Sequence, residues 1–229
     1  MIKQKIIFLT GAGMSAESGV KTFRDADGLW EGHDVMTVAT PEGWAANQAL
    51  VLDFYNQRRR QLKEVEPNEG HQLIAELEKS YKVHVITQNV DNLHERAGSS
   101  TVLHLHGELT KVRSVANLGY VLDWTEDLTA NDKDNNGHQL RPHIVWFGED
   151  VPNLAYAVDL MNQADLVVII GTSMQVYPAA NLVHYAPIHA HVYYIDPKPA
   201  RIYDLANPLT VIEKGASEGM RQLLEILKR

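Results

Sequence analysis

A chain of 229 residues, 45% hydrophobic and 22% charged, suits one α/β domain with an elaboration and has the ordinary make-up of a globular enzyme. Its formal net charge of −8, from 21 basic and 29 acidic side chains, disfavours a nucleic-acid binder, which would normally carry a basic face. The absence of cysteine excludes disulfides, thiol catalysis and cysteine-ligated zinc, and the four apolar residues at 6–9 are too few for a signal peptide or membrane span, so a cytoplasmic protein is expected.

The first strand is expected at 5–10, running into Gly11-Ala12-Gly13-Met14-Ser15-Ala16. This Gly-x-Gly-x-x-Ala pattern reads as strand, tight turn and helix start. Gly11 permits the turn, Gly13 lets backbone approach a phosphate, Ala16 allows close helix–strand packing, and a helix N-terminus would add N–H groups and a positive dipole end. An ordinary glycine turn is the plainer alternative. The region about 20 residues on, where a standard dinucleotide fold carries its second strand and an acidic ribose ligand, is instead loop-like through 21–38. Thr40-Pro41 then reads as an N-cap followed by proline at the first helical position. A helical pattern runs through Trp44, Leu50, Phe54 and Leu62, and a second helix is expected over 68–81, capped by Asn68.

Beyond that point strands are expected near 83–87, 102–105, 143–147, 166–171, 191–195 and 209–213, with helices near 90–97, 153–164, 178–185 and 217–228. This alternation predicts an α/β fold, a Rossmann-like doubly wound parallel sheet with a smaller domain formed by two insertions. Residues 1–20, 83–108 and 143–229 would form the larger domain. Residues 21–82 would be a helical insertion whose last helix packs on the sheet, and the polar, turn-rich 109–142 a small second excursion.

Polar side chains cluster where strands end, which is where open α/β sheets bind ligands. Gln88, Asn89 and Asp91 follow the second parallel strand, although helix capping by Asn89 or Asp91 would also account for them. His104 and His106 end the next strand, and Gly171-Thr172-Ser173 ends the one after 166. Tyr55 and Arg58 are i,i+3 neighbours on a helix; the triple arginine 58–60 read alone would be a solvated face.

Taken together these motifs resemble the sirtuins, the NAD-dependent protein-lysine deacylases, over nearly the full length. The resemblance rests on the block 11–19 with Phe23-Arg24, the run Gln88-Asn89-Val90-Asp91 to Gly98, His106-Gly107, the segment 141–149 and Gly171-Thr172-Ser173. It implies that NAD is held by Gly11, Ala12, Gly13, Ser15, Ala16, Phe23, Arg24, Gln88, Asn89, Asp91, Gly171, Thr172, Ser173 and Asp196, with Gly215 and Ala216 by the adenine. Asp196 stands where many relatives carry asparagine. The resemblance further implies that His106, with Asn89 and Asp91, does the catalysis, His106 acting as base on a ribose hydroxyl after the acyl oxygen has attacked the ribose carbon bearing nicotinamide. Val145, Phe147, Gly148 and Glu149 would bind an acyl-lysine protein substrate. Tyr55 and Arg58, with the small Ala39, match the branch acting on negatively charged acyl groups such as succinyl and malonyl, since a guanidinium can bind a carboxylate bidentately. Relatives hold the second excursion together with four cysteines on zinc; the corresponding positions here are Ser114, Asn117, Lys133 and Asn136, so no metal is expected. An ADP-ribosyltransferase and a non-catalytic NAD or ADP-ribose sensor remain as alternatives, and the oligomeric state is open.

Overall fold

The computed structural model describes residues 3–21, 29–30 and 32–228. From β1 (Lys5–Thr10) the chain leaves the sheet through a short hairpin, β2 (Leu29–Trp30) with β3 (His33–Asp34), and four helices, α1 (Val35–Val38), α2 (Pro41–Ala46), α3 (Gln48–Glu64) and α4 (Glu69–Leu77). It returns with β4 (Lys82–Thr87), α5 (Leu93–Arg96) and β5 (Val102–His104). It leaves again through β6 (Gly107–Ser114), β7 (Val121–Asp123) and β8 (Leu140–Ile144). The closing elements are α6 (Leu154–Met161), β9 (Leu166–Ile170), β10 (His191–Ile195), β11 (Leu209–Ile212) and α7 (Ala216–Leu227).

Six strands form one sheet in the order β11-β10-β9-β1-β4-β5, every neighbouring pair parallel. The chain builds outward from β1 to β5 on one side and then crosses to β9 on the other, so the order reverses between β1 and β9. That is where such sheets bind ligands. The central strands are nearly all apolar because both faces are covered. Ala157, Leu160 and Met161 of α6 lie with Ile7, Leu9 and Ile169 in one core cluster; Ile74 of α4 and Met220 and Leu223 of α7 lie with Ile6, Phe8 and Val168 in the other. A third core joins the two insertions: Val51, Phe54 and Leu62 of α3 pack with Val112, Leu128, Leu140 and Trp146 around the antiparallel sheet β7-β6-β8.

The expected caps form: Thr40 Oγ1 accepts from the Gly43 N–H at 2.9 Å with Pro41 in the first turn, and Asn68 Oδ1 accepts from the His71 N–H at 3.3 Å. Three expectations are corrected. The strand expected at 143–147 runs over 140–144 and belongs to the small antiparallel sheet, not the parallel one. Pro142 is tolerated in β8 because β8 is an edge strand. The helix expected at 90–97 is one turn, α5, because Asp91 Oδ1 takes the Leu93 N–H at 3.1 Å and holds 90–92 out of the helix. The helix expected near 178–185 is 3₁₀ in character over Ala179–Tyr185.

The second excursion is held without thiolates. Asp134, buried at 7% exposure, accepts from Ser114 Oγ–H at 2.6 Å, from the N–H groups of Asn136 and His138 at 2.8 and 2.9 Å, and faces His138 Nδ1 at 3.1 Å. Ser114 Oγ in turn accepts the N–H groups of Ala116 and Asn117. One carboxylate thus closes the two turns that a metal would otherwise join. The four positions do not fit zinc: Ser114 is committed to Asp134, Asn117 Oδ1 to the Gly119 N–H, and none offers a soft ligand. Among the described residues no cluster of three or more His, Asp or Glu is arranged to hold a metal ion. The Ser114 hydroxyl first, then the backbone donors, hold the Asp134 carboxyl far below the usual carboxylate range. A depressed folded-state value means the stabilisation is complete above the unfolded carboxyl value and lost only as pH falls through the folded one, so the lock holds throughout roughly pH 5 to 8. The unfolding midpoint is therefore expected to be the same with and without a strong chelator. Asp134→Ala should lower that midpoint and speed amide exchange at Asn136 and His138 by ~10-fold or more. A chelator-induced drop in melting temperature would show a structural metal instead.

Candidate active site

The geometry starts from two glycine turns packed against each other at the sheet's reversal point. The Gly11 N–H donates to Ile170 O at 3.0 Å and the Gly13 N–H to Gly171 O at 2.8 Å. A Cβ on Gly13 would lie 2.6 Å from Gly171 Cα, so no other residue fits there. The helix expected after the turn is only two 3₁₀ turns, Ala12–Met14 and Ala16–Ser18, closed by Gly19 at φ 92°. Ser15, at their junction, spends its side chain on the neighbouring strand end rather than on helix propagation. A long helix dipole is thus not on offer at this turn, and polar contact must come from its backbone and from side chains around it.

Those side chains converge from β4. Gln88 Nε2–H donates to Thr172 Oγ1 at 3.1 Å, Asn89 Nδ2–H to Ser15 Oγ at 3.1 Å, and Ser15 Oγ–H to Asp91 Oδ2 at 2.9 Å. Burial pushes the Asp91 carboxyl up, against the pull of the Leu93 N–H and the Ser15 hydroxyl. Beneath this layer lies a polar column that the sequence motifs did not mark. Thr10 Oγ1–H donates to Thr87 Oγ1 at 2.9 Å, and Thr10 Oγ1 also meets His94 Nε2 at 3.1 Å. The His94 ring stands edge-on to His71, 4.8 Å between centroids. A threonine ending each of two apolar strands was its visible signal.

The two strand-end histidines have opposite environments. His104 is 7% exposed, with Nδ1 donating to Asn89 O at 2.9 Å and Nε2 to Glu95 Oε1 at 2.8 Å. Burial alone would lower its pKa, but the Glu95 carboxylate outweighs it and raises the value, so this ring is a structural ion-pair partner. His106 is half-buried and its Nδ1–H donates to Gln88 O at 3.1 Å, which leaves Nε2 as the lone-pair nitrogen. Burial lowers its pKa, only partly countered by the Gln88 carbonyl, so the imidazole is neutral near pH 7.

Other expected positions fall around the same crevice. Asp196, 2% exposed, directly follows β10, and its Oδ1 accepts the Lys198 N–H at 2.8 Å. Gly215 and Ala216 open α7 next to Glu17 of the glycine turn, whose Oε1 accepts the Ser217 N–H at 3.1 Å while Ser217 Oγ–H also bonds Glu17. Glu17 was not singled out from sequence. Ser173 is half-buried beside Thr172. Phe23 and Arg24 lie outside the described residues.

The three arginines of α3 have three different fates. Arg58 is half-buried, with Nη1 donating to Phe54 O at 3.1 Å and its guanidinium 4.3 Å from the Phe54 ring centroid. Arg59 is 2% exposed and donates from Nε to Leu109 O at 2.9 Å and from Nη1 to Asn56 Oδ1 at 2.7 Å; burial lowers its pKa to about 10. Arg60 alone lies on the solvated face, near Asp53 and Asp127. Arg58 and Asp91 line the same cavity of about 40 Å³, together with Lys21, Val90 and Leu109. Tyr55 is fully buried, its Oη accepting from Trp146 Nε1–H at 3.0 Å.

Segment 145–149 runs between these parts. The Val145 N–H donates to His106 O and the Phe147 N–H to Ala39 O, both at 2.9 Å, and Gly148 adopts φ 88°. The Glu149 carboxylate, expected to face a substrate, is taken up by Arg113 at 3.0 Å, Arg141 at 2.8 Å and the Trp146 N–H at 2.8 Å, so it braces the segment. Phe147 is exposed, and Ala39 is buried.

Counted outward from β1, the sheet has the strand order 3-2-1-4-5-6, and with glycine turns at its reversal point it is a Rossmann-type nucleotide-binding architecture. The chain belongs to the Sir2 family, whose model matches residues 11–178. It is 58% identical over 221 residues to an NAD-dependent protein deacylase of Helicobacter pylori, covering 96% of both chains, and 56% identical to one of Bacteroides thetaiotaomicron, covering 98% of both. A Sir2 homologue solved with ADP-ribose superposes with a TM-score of 0.89 at 35% identity, covering 99% of this chain and 92% of that one; another, solved with NAD, gives 0.87 at 35% identity, covering 99% and 90%.

Proposed function

We propose that this chain is an NAD-dependent protein-lysine deacylase that favours acyl groups ending in a carboxylate, succinyl and malonyl above acetyl. It uses NAD, and the crevice fits that group: Gly11–Ala16 and Gly171–Ser173 bring backbone and hydroxyls to one edge, Asp196 supplies a carboxylate for a ribose, and Gly215 and Ala216 lie against the same turn. When bound, NAD supplies an electrophilic ribose carbon with nicotinamide as its leaving group. Gln88, Asn89 and Asp91, fixed by Thr172 and Ser15, present their polar atoms at that end of the crevice. His106 Nε2, unprotonated because Nδ1–H is committed to Gln88 O, accepts a proton from a ribose hydroxyl. Segment 145–148, whose N–H groups at 145–147 are already bonded, offers its carbonyls to an extended substrate peptide, and the small Ala39 leaves room for the acyl group.

The acyl preference is carried by one observation: Arg58 and Asp91 line the same cavity, so a cation and the nicotinamide-end carboxylate border one space. A lysine acyl chain entering from the Asp91 side would bring a terminal carboxylate to the guanidinium. Incubating the protein with NAD and peptides carrying acetyl-, malonyl-, succinyl- or glutaryl-lysine, and measuring nicotinamide release, tests both levels. Release only with acylated peptide, fastest for an acidic acyl group, is expected. Equal release without peptide overturns the deacylase reading, and equal rates for acetyl and succinyl overturn the preference.

A further inference from the structure

Trp146 lies in the segment between the base and the arginine, yet no functional motif claims its side chain. It is 2% exposed and held from several sides. The Arg141 guanidinium lies 3.7 Å from its ring centroid, and Trp44 packs at 5.8 Å. Its backbone N–H meets Glu149 Oε2 at 2.8 Å, and its Nε1–H donates to Tyr55 Oη at 3.0 Å. Tyr55, 0% exposed, sits one turn before Arg58 on α3. The residue before Trp146 is bonded to His106 O and the residue after it to Ala39 O, each at 2.9 Å.

We propose that Trp146 is a positioning residue for acyl choice: its indole N–H, bonded to the Tyr55 phenol, ties the helix that carries Arg58 to the segment anchored on His106. The inference rests on the acyl preference proposed above. An acyl-lysine must place its carbonyl near the nucleotide end, beside His106, and its terminal carboxylate at Arg58. The spacing of those two points therefore decides which chain length fits, and the buried Trp146–Tyr55 hydrogen bond is one of the contacts that set it. A buried donor–acceptor pair of this kind fixes direction as well as distance, because neither group has water to turn to. The role also gives Tyr55 a task different from direct contact with substrate: its hydroxyl is the anchor for the indole.

Tyr55→Phe removes the bond by deleting only the hydroxyl; Trp146→Phe keeps an aromatic ring under Arg141 but loses the N–H donor together with part of the buried indole, so it serves as the check from the other side. Kinetics on acetyl, malonyl, succinyl and glutaryl peptides should show the ratio of kcat/KM for the preferred acidic acyl group over acetyl falling at least fivefold in either variant, mainly through KM, and the spread among the three acidic lengths narrowing. The double variant should show the same acyl ratio as Trp146→Phe alone, since the shared bond is already gone. Equal losses on acetyl and acidic substrates would make the bond merely structural and overturn the proposal, as would additive losses in the double variant. Arg58→Met run in parallel separates the two levels: if it abolishes the preference while both phenylalanine variants keep it, only the positioning role fails. If wild type shows no preference, the acyl reading and this inference fall together.

Discussion

His106→Ala is expected to lower deacylation by roughly 100- to 10,000-fold, the usual range for loss of a general base, with an unchanged melting curve and NAD affinity. The structure gives reasons for both halves. The imidazole is half-buried and makes one bond through its side chain, Nδ1–H to Gln88 O, so its removal leaves one carbonyl to be satisfied by water. What is lost is the lone pair on Nε2. Burial sets its pKa below the ordinary histidine value of 6.5. Because the deprotonated form is the active one, activity should be flat from neutral pH upward and fall as pH drops through that lowered value. The acid limb of kcat/KM should therefore lie below pH 6.5. His104, raised by Glu95, predicts an acid limb on the other side of that value. A folded His106→Ala protein turning over at near-normal rate, or a limb well above the ordinary histidine value, would remove His106 from the role.

Arg58→Met should collapse the preference for acidic acyl groups, reducing the ratio of succinyl to acetyl kcat/KM by roughly 10- to 150-fold. That figure is the rate equivalent of one charged hydrogen bond, about 1.5–3 kcal/mol. Methionine keeps an unbranched apolar side chain that suits the helix, while the guanidinium that lies over Phe54 and bonds Phe54 O disappears with the charge. Acetyl-lysine has no carboxylate for the guanidinium and gains nothing from it. The measurement is the pair of kcat/KM values for matched peptides. Parallel losses on both substrates would assign Arg58 to folding, and an unchanged ratio would place acyl recognition elsewhere on the chain.

The parts of this site that could be read in advance are those where chemistry and local chain geometry coincide. Gly11 and Gly13 read as a tight turn and a close approach to a phosphate, and the fold adds a close approach to the Gly171 backbone. The βα alternation follows from apolar runs bounded by polar strand ends, and Thr40 and Asn68 cap helices as their side chains dictate. What stayed hidden depends on partners distant in sequence. Residues 140–142 fall in the turn-rich excursion until the pairing with β6 makes them part of β8. Arg59 reads as surface until Leu109 O, fifty positions on, is found to receive it. Asp134 looks like one polar residue among many in a turn-rich stretch, and only the fold shows Ser114, Asn136 and His138 pointed at it. The Trp146–Tyr55 bond spans 91 positions and has no local signature.

Glu17 reaches across 200 positions to hold the first turn of α7. During synthesis the serine that engages this glutamate is added 200 residues after it. At elongation rates of ~5–20 residues per second, roughly 10 to 40 s separate the two events. For most of that interval the nucleotide end of the crevice lacks β9 beside β1, and for all of it α7 against the turn. A nascent chain is therefore expected to be without cofactor until the final helix docks. Removing α7 would therefore also strip the glycine turn of the Ser217 partners of Glu17.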